Sequence, residues 1–422
     1  MSNCYVLPCV LFLSISILGC VDDASSDSGE VIVLGDANTD AGTGDGAMAD
    51  SDGSQLDLGS VPDSSMSGQD GALPVTGECA PDPRARAVHG VFYVDEDESD
   101  RSTYAGGPTG EDSPIEGELE LIGSETAEIR TCDDGSYEIS GLEEGVFLVQ
   151  PLVQPNRRCT TANCPGRFAR AVQEGRAPVM LTFGDSIAVI GDQPIFPERV
   201  RTLFSQLTDI ENRNVAVAGS TSTDWLPNRR YFSERLTPQL AEADLLIITL
   251  GGNDMLQYVS NIGIPNDIPA AIEGARLVVL RVIENVSEIL TAVRAVNPDA
   301  DIAYCLYADY SQATEHPIWG LVGSFLGPDT VSEVLELARS NFPTNDRHLM
   351  LVDMFGAAQG LPLHDYLYDQ LHFNDLGQTL YAEEVFETLG GVLIGNNPLG
   401  EMGATPIGLR RNYGLSPNID TE

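Results

Sequence analysis

The sequence contains no lysine. Its 22 basic residues are all arginine and face 64 acidic ones, for a formal net charge of −42. So large a deficit of positive charge excludes a basic footprint on nucleic acid and polybasic attachment to anionic lipid. Histidine is scarce at 5 residues, and none of them falls in an HExxH pattern or a tight His–carboxylate cluster, so neither metal nor cofactor is expected. The one long apolar run, residues 5–19, falls short of the roughly 20 residues a membrane span needs. What remains is a chain of 422 residues, 42% hydrophobic, enough for two or three domains.

The apolar run ends in Ile17-Leu18-Gly19-Cys20, which resembles the lipobox of bacterial lipoproteins. That resemblance implies a signal peptide over 1–19 and acyl chains on Cys20, several chains on one residue being what stable anchoring requires. Val21 after the cysteine is similar to lipoproteins sent to an outer membrane. The implied location is the bacterial cell envelope, as an outer-membrane lipoprotein facing the periplasm or the exterior. Met1-Ser2-Asn3 departs from the signal pattern in lacking a positive residue. Residues 20–76 are dominated by Ser, Gly, Asp, Ala and Thr and hold no basic residue. They read as a disordered, self-repelling stalk, and their aspartates lack the EF-hand spacing.

Over residues 77–165 the hydrophobic period becomes two. Val88–Val94, Gly117–Ile122, Ala127–Arg130, Ser136–Ile139 and Val146–Val149 alternate between Gly- and Asp-rich turns, as in a small all-β sandwich. The run TCDDGSYEISGLEEGVFLV resembles carboxypeptidase-regulatory-like and surface-protein B-type repeats, which are prealbumin-like sandwiches. The acidic stretch Asp95–Asp100 reads as a solvated loop, and the module as a spacer or docking unit. Of its cysteines, Cys159 and Cys164 are close enough for a local bridge, which leaves Cys79 with Cys132; four cysteines allow three pairings, and spacing alone leaves them open. Cys305 lies in a strand-like run and is expected to be a buried thiol.

Residues 177–396 alternate strands and helices, and 397–422 form a C-terminal tail. Strands are expected over 178–183, 215–218, 245–250, 302–307 and 348–353. A long helix carries Ile272, Ala275, Val279, Ile283, Val286, Leu290 and Val293 at helical spacing. A last helix follows Asn374 as its cap. The pattern implies a three-layer α/β/α sandwich on a five-stranded parallel sheet, with its site at the carboxyl ends of the strands. Three polar motifs fall at such ends, Gly184-Asp185-Ser186, Gly219 and Gly251-Gly252-Asn253-Asp254, and a fourth, Asp369-Gln370-Leu371-His372, lies ahead of the last helix. The first is no G-x-S-x-G elbow, because residue 188 is Ala.

Together these four blocks resemble the SGNH, or GDSL-type, hydrolase family over about 180–395. The resemblance implies Ser186 as nucleophile, His372 as general base and Asp369 as its orienting carboxylate. The backbone N–H groups of Ser186 and Gly219 and the side-chain amide of Asn253 would form the oxyanion hole. The implied activity is hydrolysis of carboxylic esters through an acyl-enzyme, on a small-molecule or glycan ester. The alternatives are carbohydrate O-deacetylation on the same fold and an inactive surface adhesion or scaffold lipoprotein. No protein partner is indicated. His89, His316, His348, His364, Asp254 and Asp353 read as structural or surface groups. Tyr366, Tyr368, Trp225 and Trp319 read equally as pocket walls and as core aromatics.

Overall fold

The computed structural model describes residues 166–399, with 263–266, 314–327, 343–345, 347 and 370 excepted. Ahead of these it describes 88–94, 118–132, 135–151 and short strand pieces at 113–114, 153–154 and 157–158; beyond them, the strands at 409–410 and 413–415. The signal-like run, Cys20, the acidic stalk, the 95–100 loop, Cys79, Cys159, Cys164, His316 and Trp319 lie outside the described residues.

A five-stranded, all-parallel sheet forms the larger layer structure. Its order is Glu211–Asn214, Val179–Gly184, Leu245–Thr249, Asp301–Cys305 and Leu349–Val352. The three central strands are buried at every residue, which is why they read as nearly continuous apolar runs. Alternate side chains serve opposite faces. Leu245 and Ile247 pack with Phe196, Val200, Tyr381 and Val385, which belong to the helices Phe196–Phe204 and Asp375–Thr388. Leu246 and Ile248 pack with Val282, Val286 and Ile289 of the long helix Ile268–Val296. Helices therefore cover both faces, as the periodicity implied. In chain order the strands run second, first, third, fourth, fifth, so the connections reverse direction between the first strand and the third. That crevice is where α/β sheets place ligands.

The second strand lies four residues before the apolar run expected to form it. Glu211–Asn214 is an edge strand with no buried residue, and Arg213 pairs there with Glu211 and Glu242. One of its flanks faces water, so apolar periodicity carries no signal. Val215 and Val217 only extend the ladder, donating to Thr182 O at 2.8 Å and Gly184 O at 2.9 Å.

Two small sheets build the β module. In one, Val88–Val94 pairs antiparallel with Ser136–Ser140, which in turn pairs with Glu128–Thr131. In the other, Gly145–Pro151 pairs antiparallel with Leu119–Ile122. Between them lie Val88, Phe92, Tyr137, Ile139, Phe147 and Val149. The chain returns to this module after the last helix: Gly391–Ile394 pairs with Gly145–Pro151, and Leu409–Arg410 and Tyr413–Leu415 pair with Val88–Val94. Segments read from sequence as the end of the larger domain and as a tail thus complete the module's sheets. Cys132 is disulfide-bonded, its partner lying outside the described residues, and Cys305 is a free, buried thiol.

One strand joins the two cores. On Gly145–Pro151, Phe147 and Val149 face the module interior, whereas Val146 and Leu148 enter the core of the larger layer structure beside Phe168 and Phe204. Leu148 is fully buried, and a truncation such as Leu148→Ala typically costs about 2–5 kcal/mol. The expected result is that Leu148→Ala lowers the urea midpoint of tryptophan fluorescence and of far-UV circular dichroism together. Two separate midpoints would show that the cores fold separately.

Candidate active site

Ser186 and Asn253 each follow a fully buried strand, Gly219 follows the exposed edge strand, and Asp369 and His372 lie in a turn ahead of the last helix. After Val179–Gly184 the chain turns sharply at Gly184, whose φ is +133° and whose Cβ position would lie 2.1 Å from Thr249 O; only glycine fits so close an approach. Asp185 then caps a single 3-10 turn, Ser186–Ala188, accepting from Ile187 N at 3.1 Å. This leaves Ser186 half-buried at the strand end. Tyr307 donates its hydroxyl to the other oxygen of Asp185. Burial raises the Asp185 carboxyl to about 6, against the opposing pull of its hydrogen bonds from Tyr307 and Ile187.

That shift has a sign. The folded state holds the Asp185 proton more tightly than the unfolded chain, so stability from this group is present below about pH 4 and is lost as pH rises through about 6. The loss is on the order of 3 kcal/mol. Asp185→Asn keeps the cap acceptor and removes the titration. Its unfolding free energy, relative to the wild type's, is expected to be higher at pH 7 than at pH 4. An unchanged difference at the two pH values would contradict the assignment.

The second and third blocks are bolted together. Gly219 has φ +80°, and a side chain there would meet open space, so this turn presents bare backbone. The next residue, Ser220, donates to Gly184 O at 2.9 Å and receives the Trp225 indole N–H at 2.9 Å. Asn253, in the first turn of the helix Gly252–Ile262, donates from Nδ2 to Ser220 O at 2.9 Å. One amide hydrogen thereby fixes the group's orientation, and the second has no partner among the described residues. Asp254 receives both the N–H and the hydroxyl of Ser222, at 2.8 and 2.7 Å. It is a tie between blocks. Trp225 is fully buried against Phe183, ring centroids 5.1 Å apart, and so belongs to the core rather than to a pocket wall.

The fourth block is a turn ahead of the last helix, which Asn374 caps by accepting from Leu376 and Gly377 N–H. Asp369 Oδ2 lies 2.7 Å from His372 Nδ1. Its Oδ1 takes the backbone N–H of Leu371 and of His372, both at 2.8 Å. Burial alone would raise this carboxyl, but the hydrogen bonds from the His372 ring and from these two amides outweigh it and hold it at about 2. Asp369 therefore favours its carboxylate form, opposite His372 Nδ1. His372 is buried, and its Nε2 accepts no hydrogen bond from the described residues. The turn is tied to the segment after Ser186: Asp192 N–H donates to Phe373 O at 3.3 Å, and Gln378 Nε2 donates to Ile190 O at 3.4 Å.

The remaining polar groups have local partners. His348 lies 3.5 Å from Asp301, and His364 lies 3.1 Å from Asp365. Asp353 caps the short helix Met354–Ala357 and faces Arg339 at 3.3 Å. Tyr368 is 60% exposed beside the fourth block, with its N–H on His372 O. The structural roles of Asp185, Asp254 and Tyr307 had no spacing signal in the sequence, because their partners lie far along the chain.

Residues 182–380 match the model of the GDSL-like Lipase/Acylhydrolase family, a span that contains all four blocks. No curated protein matches the sequence. Among solved structures, the lipase Lip_vut3 from a goat rumen metagenome is similar at 18% identity and a TM-score of 0.41, over 50% of this chain and 97% of that one. Phospholipase A1 from Streptomyces albidoflavus is similar at 15% identity and 0.38, over 50% and 99%. An extracellular lipase from Streptomyces rimosus is similar at 16% and 0.38, over 50% and 100%. Residues 182–380 are thus a GDSL-like lipase/acylhydrolase family domain, with the serine-hydrolase chemistry of carboxylic esters that this family carries.

Proposed function

We propose that Ser186 is the nucleophile of an esterase, with His372 as general base and Asp369 as its orienting carboxylate. The observation that carries this reading is the His372 ring: Nδ1 is locked on an ionised carboxylate while Nε2 is buried and unbonded. A neutral imidazole held this way has a lone pair at Nε2 ready for a hydroxyl proton. As Ser186 Oγ attacks the ester carbonyl, its proton passes to Nε2. The tetrahedral oxyanion is received by the N–H groups of Ser186 and Gly219 and by the free amide hydrogen of Asn253. Collapse expels the alkoxide, which takes the proton from His372 and leaves an acyl group on Ser186. Water, deprotonated by the same imidazole, then releases the acid and restores the serine.

A fluorophosphonate ester tests the nucleophile. The expected adduct lies on the peptide containing Ser186 and is lost in Ser186→Ala. Labelling of Ser186→Ala at the wild-type rate would overturn the assignment. The strongly acidic surface disfavours polyanionic substrates, which supports neutral lipid or aryl esters and, as the second reading, acetyl esters of neutral glycans. Turnover of a panel of acyl lengths beside acetylated xylan or mannan separates the two. We also infer that Cys20 carries an anchor to the bacterial envelope, on the strength of the apolar run that precedes it. Cys20→Ala is expected to appear in the soluble fraction, and its retention on membranes would contradict the anchor.

A further inference from the structure

The fourth strand of the parallel sheet, Asp301–Cys305, ends in a series of tyrosines at three-residue steps, Tyr304, Tyr307 and Tyr310. Each phenol hydroxyl ends on a different catalytic turn. Tyr304 donates to Leu250 O at 2.6 Å, at the foot of the turn leading to Asn253. Tyr307 donates to the carboxylate of Asp185, the residue before Ser186. Tyr310 donates to Leu371 O at 2.8 Å, the residue before His372. A fourth phenol, Tyr381 in the last helix, donates to Leu306 O at 2.9 Å and so ties the series itself down. Tyr307 also lies against Gly252, where an added Cβ would come within 2.7 Å of its ring.

Three turns distant in sequence are thus indexed to one seven-residue segment. A shift of any turn breaks a specific hydrogen bond to that segment, and the reacting atoms tolerate little misplacement. The geometry points to Tyr304, Tyr307 and Tyr310 as positioning residues that set the oxyanion donor, the nucleophile and the base against one another. None of the three touches the reacting atoms. This inference rests on the assignment of Ser186, His372 and Asn253 made above. Burial raises all three phenols above their ordinary range, so each stays a donor at any pH where an ester hydrolase is assayed.

Tyrosine-to-phenylalanine replacement removes one donor and keeps the ring. For Tyr310→Phe the expected result is a kcat lower by about tenfold or more with KM within about twofold, the pattern of an interaction that matters in the transition state. Its far-UV spectrum and thermal midpoint report whether the folded fraction accounts for any loss. The decisive arm is a cycle with His372→Ala. If Tyr310 acts through the base, Tyr310→Phe changes nothing further in that background. Equal losses with and without His372, or a kcat loss that tracks the unfolded fraction, would overturn the positioning role. Tyr304→Phe is expected to lose its effect in an Asn253→Ala background in the same way. The assignment underneath is separately exposed: full turnover by Ser186→Ala would overturn the hydrolase reading. Wild-type turnover by Tyr310→Phe with Ser186→Ala inactive would overturn the tyrosine inference alone.

Discussion

His372→Ala is expected to lower kcat for a short acyl p-nitrophenyl ester by about 10⁴-fold or more, and Ser186→Ala by a similar factor. The double variant should be little worse than either single one, because nucleophile and base act as a unit and the first removal already disables it. Residual hydrolysis would come from the oxyanion donors and from substrate binding, which the substitutions leave in place. The fold should survive both changes. Ser186 is half-buried at a strand end, and the fourth-block turn retains the backbone bond from Tyr368 N–H to His372 O at 2.7 Å and the Asn374 cap. Loss of activity with an unchanged thermal transition is the result to look for; multiplicative losses in the double variant would contradict a shared mechanism.

The second large effect is expected at Asp369. Replacement by Asn preserves the acceptor for the Leu371 and His372 amides but places an N–H₂ group opposite His372 Nδ1. The ring must then carry its proton on Nε2, where a base needs a lone pair, so the wrong tautomer is held in the right place. A loss of about 10⁴ in kcat follows from that exchange alone. The Asn variant also removes a charge from a group that is 43% exposed, so the accompanying change in stability should be modest. Steady-state kinetics beside a denaturant titration separates the two. An Asn variant with near wild-type kcat would mean that Asp369 only shapes the turn.

Much of the sheet that carries the candidate site was legible in the sequence, for a physical reason. Strands covered on both faces must be apolar throughout, so 179–184, 245–249 and 301–305 stand out from their surroundings. The polar residues directly after them mark the sheet's carboxyl edge. Asn374 was legible because helix capping is local. What escaped was long-range. Glu211–Asn214 is polar because it lies at an edge, and no period betrays it. Gly391–Ile394 was not read as a strand, and nothing local says that its partner is Gly145–Pro151, some 240 residues earlier. Trp225 looked as much like a pocket wall as a core residue until Phe183 and Ser220 were seen around it. Asp185, Asp254 and the three tyrosines matter through partners that only the fold supplies.

The shared strand also changes how the small module is viewed. Val146 and Leu148 pack into the hydrolase core from the strand whose other face closes the module. The helix that follows the fourth block leads directly into the strand Gly391–Ile394. The last helix, whose first turn lies just beyond His372, is thus joined at its far end to a strand of the module's sheet.

The central claim is that an acyl group rests on Ser186 during turnover. Acid quenching of the wild type in the presence of a slow ester, followed by peptide mass analysis, reads this directly. The acyl mass is expected on the peptide that contains Ser186, together with a burst of alcohol equal to the enzyme present. Steady turnover with no acylated peptide, or with the acyl group on another residue, would contradict it.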